Sequence, residues 1–94
     1  MEEFIFIGYR YFEVANNNGT VNRGYTIYML QPLKVENGNY GYSPVQVYNR
    51  FQNCMKFPTV SVDFFIEHNI KDIKVNDKCL AVISREKLVD FKKK

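Results

Sequence analysis

The residue types in this chain that could do chemistry are aromatic rings and a thin set of bases. Residues 24–51, GYTIYMLQPLKVENGNYGYSPVQVYNRF, hold five of the seven tyrosines. Before Arg50, Lys34 and Glu36 are the only charged side chains in that stretch. Rings set beside a few cations suit one chemistry well. Bases of a single-stranded nucleic acid stack on the rings while Arg and Lys neutralise its phosphates. Tyr28, Tyr40, Tyr42 and Tyr48 are the candidate stacking residues. Arg10, Arg23, Lys34 and Arg50 are the candidate phosphate partners, with Lys56 and the terminal Lys92, Lys93 and Lys94 extending the track. The competing reading is sheet pairing, in which each tyrosine packs its ring across a strand and keeps its hydroxyl wet.

Other chemistries find little support. His68 has Glu67 beside it and Asp63 five residues back, but no nucleophile near it in sequence. No nucleophile elbow, Walker loop or Rossmann glycine pattern occurs. The expectation is a protein that is not an enzyme and has no catalytic residue. Cys54 and Cys79 form no CxxC and lie far from His68 in sequence, so no metal or cofactor is expected. Both are expected as free thiols of a reducing compartment.

The net charge of +3 equals the contribution of Lys92, Lys93 and Lys94. An anionic partner must therefore meet a local cluster of bases, because the net charge of the remaining chain is zero. The chain opens Met-Glu-Glu without the pattern of a secretory signal, and no apolar run reaches the length of a membrane span. A cytoplasmic location, away from membranes, is expected; if the chain is phage-encoded, that is the host cytoplasm.

The elements that must position these residues are mostly strands. Residues 3–14, EFIFIGYRYFEV, are β-branched and aromatic, with Gly8 marking a bulge. Asn16-Asn17-Asn18-Gly19 is a hairpin turn, and residues 20–35 are a second strand interrupted at Gly24 and ended near Pro32. On that strand Tyr28 shares a face with Thr26, and Tyr25 and Arg23 share the face of Ile27. Residues 36–44 are a loop. Residues 45–51, VQVYNRF, alternate as a third strand: Val45, Val47 and Phe51 face the core, Gln46, Tyr48 and Arg50 the solvent. Residues 61–70 change to a helical period, with Val62, Phe65, Ile66 and Ile70 on one face, Ser61 as cap and Asn69 as stop. Phe64 falls off that face, either as a second buried side or as an apolar patch for a partner. Val75-Asn76-Asp77 turns the chain into a strand over 78–84, Ser84 to Glu86 form a tight turn, and 88–91 closes the sheet.

Five strands with one short helix between strands three and four predict a mainly β fold, a five-stranded OB-like barrel. Residues 1–91 form its single domain and 92–94 a basic tail. An SH3-like barrel or an open α+β sheet has the same strand count.

The chain also resembles a known family. FIGYRYFEVANNNGTVNRGYTIYML is similar to the opening hairpin of small single-stranded-DNA-binding, gene-V-like OB proteins of phages and mobile elements of Gram-positive bacteria. Ile7-Gly8-Tyr9, Asn18-Gly19, Gly24 and the loop from Gly38 to Tyr42 carry the likeness, and IKVNDKCLAVISREKLVDF is similar to the family's final hairpin. Asn76 and Arg85-Glu86 stand where that hairpin usually has glycine. The resemblance implies binding of single-stranded DNA without sequence preference, in DNA replication, by a homodimer. The alternative is a phage or mobile-element protein that binds and inhibits a host protein through an aromatic surface.

Overall fold

A computed structural model describes residues 1–85 and 87–94. The strands are β1 (Glu2–Ala15), β2 (Val21–Pro32), β3 (Tyr42–Pro44), β4 (Val47–Asn49), β5 (Cys54–Lys56), β6 (Thr59–Ser61), β7 (Lys78–Ser84) and β8 (Lys87–Lys93). A helix, α1 (Val62–Glu67), and a 3-10 turn over Ile70–Asp72 lie between β6 and β7. The protein is mainly β, with one short α-helix.

Five of the strands form a ring. β1 pairs antiparallel with β2, β2 with β6, β7 with β8, and β7 with β1. The ring closes where β6 runs parallel to β8 through one pair, Thr59 with Lys87. β3 extends β2 outside the ring, and β4 and β5 make a separate two-stranded hairpin.

The bulge expected at Gly8 is present between Phe6 and Gly8, and it sets the faces of the long hairpin. Phe6 lies opposite Met29, but Tyr9 lies opposite Ile27. Residues opposite each other in an antiparallel pair share a face. The extra residue therefore moves the inner face of β1 from Phe4 and Phe6 to Tyr9, Tyr11 and Glu13. On β2 that face carries Met29, Ile27, Tyr25 and Arg23, and the outer face carries Tyr28 and Thr26, as the alternation predicted. Gly24 is required where it stands, because a Cβ there would lie 2.4 Å from the Val60 carbonyl oxygen.

The core fills the ring. Phe4, Phe6, Ile27, Met29, Val60, Leu88 and Phe91 are buried in one cluster with Cys79. Phe65 of α1 lies over the inner face of the hairpin and stacks on Tyr25, centroids 3.7 Å apart. Tyr9 meets Phe65 edge-on, and Tyr11 meets Tyr25 in the same way. These three tyrosines spend their inner-face rings on packing.

Four expectations are corrected. The third ring strand is Thr59–Ser61, not residues 45–51. The 45–51 run breaks because the buried Asn49 accepts the backbone N–H groups of Phe51 and Gln52, at 2.9 and 3.2 Å, which turns the chain. Phe51 is consequently not in the core; it is 94% exposed. The helix is shorter than the 61–70 span, ending at Glu67, while Asn69 does act as its stop by taking a left-handed conformation before a 3-10 turn. Ser61 does cap it, accepting from the Phe64 N–H. Ile66 is 64% exposed rather than core-facing, while Phe64 packs against the core and stacks on His68.

Lys92 and Lys93 lie within β8, opposite Leu80 and Cys79. Lys93 pairs with Asp77, and Lys94 with Glu3. Of the turn expected at Ser84 to Glu86, Glu86 lies outside the described residues. Asn76 and Arg85 both have positive φ, 77° and 57°, the region that favours glycine. Among the described residues no helix is long and apolar enough to cross a membrane.

Candidate nucleic-acid interface

The β4–β5 hairpin stands beside the turn that joins β7 to β8. Between them lies an open cleft of about 1120 Å³. Its walls are Tyr48, Arg50 and Phe51 from the hairpin and Ser84, Arg85, Lys87 and Val89 from the other side. A second cleft, of about 500 Å³, shares Lys87 with the first. It runs over Thr59, Thr26 and Asn22 and is also lined by Phe12, Arg23 and Lys56. The two make one path across ring strands β2 and β6 and up to the β7–β8 turn. Among the described residues, no acid lines either cleft.

The tip of the β4–β5 hairpin is fixed by its own hydrogen bonds. Asn49 ties the backbone at Phe51 and Gln52, and Asn53 turns the chain back with φ 51°. The Tyr48 hydroxyl donates to the Asn53 side-chain oxygen. Phe51 thus projects from an ordered turn with almost its entire ring in solvent. Burying a phenylalanine is worth about 1.5–3 kcal/mol, and this position forgoes it. A ring held out beside Arg50, Arg85 and Lys87 can accept the face of a nucleobase while the cations meet the adjacent phosphates.

The residues predicted from sequence are divided by the fold. Tyr48, Arg50 and Arg23 line the clefts. Arg23 is also bound to Glu13, Nε to Oε1 at 3.3 Å. Arg10 lies opposite Thr26 on the outer face of the hairpin. Tyr28 shares that face but packs edge-on against Phe57, centroids 5.0 Å apart. Tyr40, Tyr42 and Lys34 lie elsewhere, in or beside the loop between β2 and β3, with Tyr40 95% exposed. Lys92 to Lys94 are at the far end of β8 from Lys87, roughly 20 Å away at about 3.3 Å per residue.

Phe51, Phe12, Arg85 and Lys87 were missed as site residues. The signal for Phe51 was present in the sequence: Asn49 and Asn53 flank three residues, Arg50 to Gln52, and an asparagine two residues before a ring caps its backbone. Arg85 and Lys87 gave no such signal, because only the ring brings the β7–β8 turn beside the β4–β5 hairpin.

Other clefts have different chemistry. One of about 470 Å³ is lined by Phe4, Val45, Val47 and Ala81 with Glu2 and, among the described residues, no lysine or arginine. Another sets Lys92 and Lys93 among Glu67, Asp72 and His68. Among the described residues no group of three or more His, Cys, Asp or Glu could hold a metal ion. Cys54 is exposed, and burial pushes the Cys79 thiol up to about 11. No protein-family model, curated protein or solved structure matches this chain.

Proposed function

We propose that the ring is a five-stranded OB-like barrel and that the joined clefts bind single-stranded DNA without sequence preference. The observation that carries this reading is the position of the clefts. They cross ring strands two and three and end at the loop between the last two strands, the surface on which OB-folds bind oligonucleotides. The helix between ring strands three and four and the closure of β1 on both β2 and β7 also support the barrel. Phe51 and Tyr48 stack on bases. Arg50, Arg85 and Lys87 neutralise phosphates, with Arg10 continuing the track along the hairpin. A likeness to gene-V-like proteins of phages and mobile elements is part of the same proposal, and so is a role in DNA replication.

Amide chemical shifts of the labelled protein, followed as a thymidine oligomer is added, test the location. The expected shifts fall on Tyr48 to Phe51, Ser84 to Lys87, Thr26 and Thr59. Shifts confined to the loop around Tyr40 or to the end of β8, or none, would overturn it. An absence of shifts would turn attention to the rival reading, a host protein held on the aromatic surface.

A further inference from the structure

The long hairpin has one open edge. β1 pairs with β7 only over Glu2 to Ile5, and Phe6 bonds through its backbone to Asn76 and Asp77. From Ile7 to Ala15, β1 has β2 on one side and, among the described residues, no strand on the other. The Ile27 N–H donates to the Pro58 carbonyl, so Ile27 points away from β1. Opposite residues in an antiparallel pair either exchange both bonds or neither. Tyr9, opposite Ile27, therefore aims its N–H and C=O at the open edge, and alternation carries this to Tyr11, Glu13 and Ala15. Exposed edges are usually blunted by proline, lysine or a bulge. Residues 9–15 contain neither residue, and the bulge precedes them.

We propose that this edge pairs antiparallel with the same edge of a second copy, centred on Tyr11. Tyr11 is the midpoint of the free segment from Ile7 to Ala15, so this register uses its full length. The segment is self-complementary there. Arg10 and Glu13 are its only charged residues. In this register Arg10 meets Phe12 of the second copy, a cation against a ring face, and Glu13 meets Tyr9. Centring on Arg10 or on Glu13 would set like charges opposite each other, which is destabilising. Centring on Phe12 would leave Ile7 and Gly8 unpaired. The two-fold axis of such a pair stands perpendicular to the joined sheet, so both outer faces, with Arg10 and Phe12, lie on one side. The clefts of the two copies then open on that same side. This association does not depend on DNA and goes beyond the binding reading.

Cross-linking of the full chain tests it. With the exposed Cys54 changed to Ser, Tyr11→Cys places two thiols face to face, with Cα atoms about 5.5 Å apart and within the range of a disulfide. Mild oxidation is expected to give a covalent dimer from Tyr11→Cys and none from Val14→Cys, whose mate is Gly8. Equal cross-linking at both positions would overturn the interface. Hydrogen exchange of the wild-type chain removes any doubt about folding of the variants. The Tyr9, Tyr11 and Glu13 amides should slow at least tenfold between dilute and concentrated samples. Exchange independent of concentration, in a chain that sediments as a monomer at all concentrations, would overturn the proposal.

Discussion

Removing the Phe51 ring should separate the proposed binding from folding, because the fold does not use it. Phe51 is 94% exposed, and its turn is held by the Asn49 side chain and by backbone groups that Phe51→Ala leaves in place. The expected change in stability is within about 0.5 kcal/mol, a shift in Tm of less than about 4 °C for a domain of this size. Stacking on one base is worth about 1–3 kcal/mol, so the same substitution should weaken binding about 5- to 150-fold. Phe51→Trp should keep or improve affinity, and Phe51→Leu should fall between, since it retains apolar area without a π face. The assay is fluorescence anisotropy of an end-labelled thymidine oligomer at one low salt concentration, with the Tm of each variant measured in the same buffer. A Phe51→Ala protein that keeps its Tm and binds within twofold of wild type would refute the reasoning.

Four further outcomes follow from the fold. Gly24→Ala would drive a Cβ to 2.4 Å from the Val60 carbonyl oxygen and 3.0 Å from the Phe12 ring, parting β2 from β6. The expected cost is about 2 kcal/mol, or a Tm lower by roughly 8–16 °C in a thermal melt. Asn49→Ala would strand two backbone N–H groups at the hairpin tip, costing about 1–3 kcal/mol and loosening Phe51; DNA affinity should fall in step with Phe51→Ala. The two thiols should differ: Cys54 reacts with a thiol reagent in the native protein at mildly alkaline pH, and Cys79 only on unfolding. Because burial raises the Cys79 pKa from 9.0 to about 11, the folded state holds that proton longer than the unfolded one. Its contribution to stability is complete below about pH 9 and is lost as pH rises towards about 11, and Cys79→Ala should flatten that alkaline loss in chemical denaturation.

Local features of the fold were legible in the sequence, and those made by distant contacts were not. The long hairpin, its bulge at Gly8, its Asn-Gly turn and the faces of Tyr25, Tyr28 and Arg23 follow from period-two alternation and the needs of positive φ. The cap at Ser61 is similarly local. The third ring strand was hidden because three residues, Thr59–Ser61, carry no period. The 45–51 run misled because its alternation is real at Val47, Tyr48 and Asn49 and is then ended by a side chain, not by a glycine or proline. For the site, Tyr48 and Arg50 were legible as rings and charge on a polar face. Their neighbours Arg85 and Lys87 come from 35 or more residues later in the chain and depend on ring closure at Thr59 and Lys87. Tyr40 and Tyr42 illustrate the opposite failure, since a glycine-rich loop rich in rings points to a surface without saying which.

The central claim is that Arg50, Arg85 and Lys87 hold the phosphates of a single strand, and its most direct test is the salt dependence of affinity. Those three neutralised phosphates alone give a slope of about −2 in log K against log salt, and Arg10 steepens it, so binding of a thymidine oligomer should weaken at least about 20-fold between about 50 and about 200 mM salt. Arg85→Gly, which removes one charge at a backbone position suited to glycine, should reduce the slope by about 0.7. Folded protein that binds no oligomer at low salt, or binds it with an affinity that salt leaves unchanged, would contradict the account.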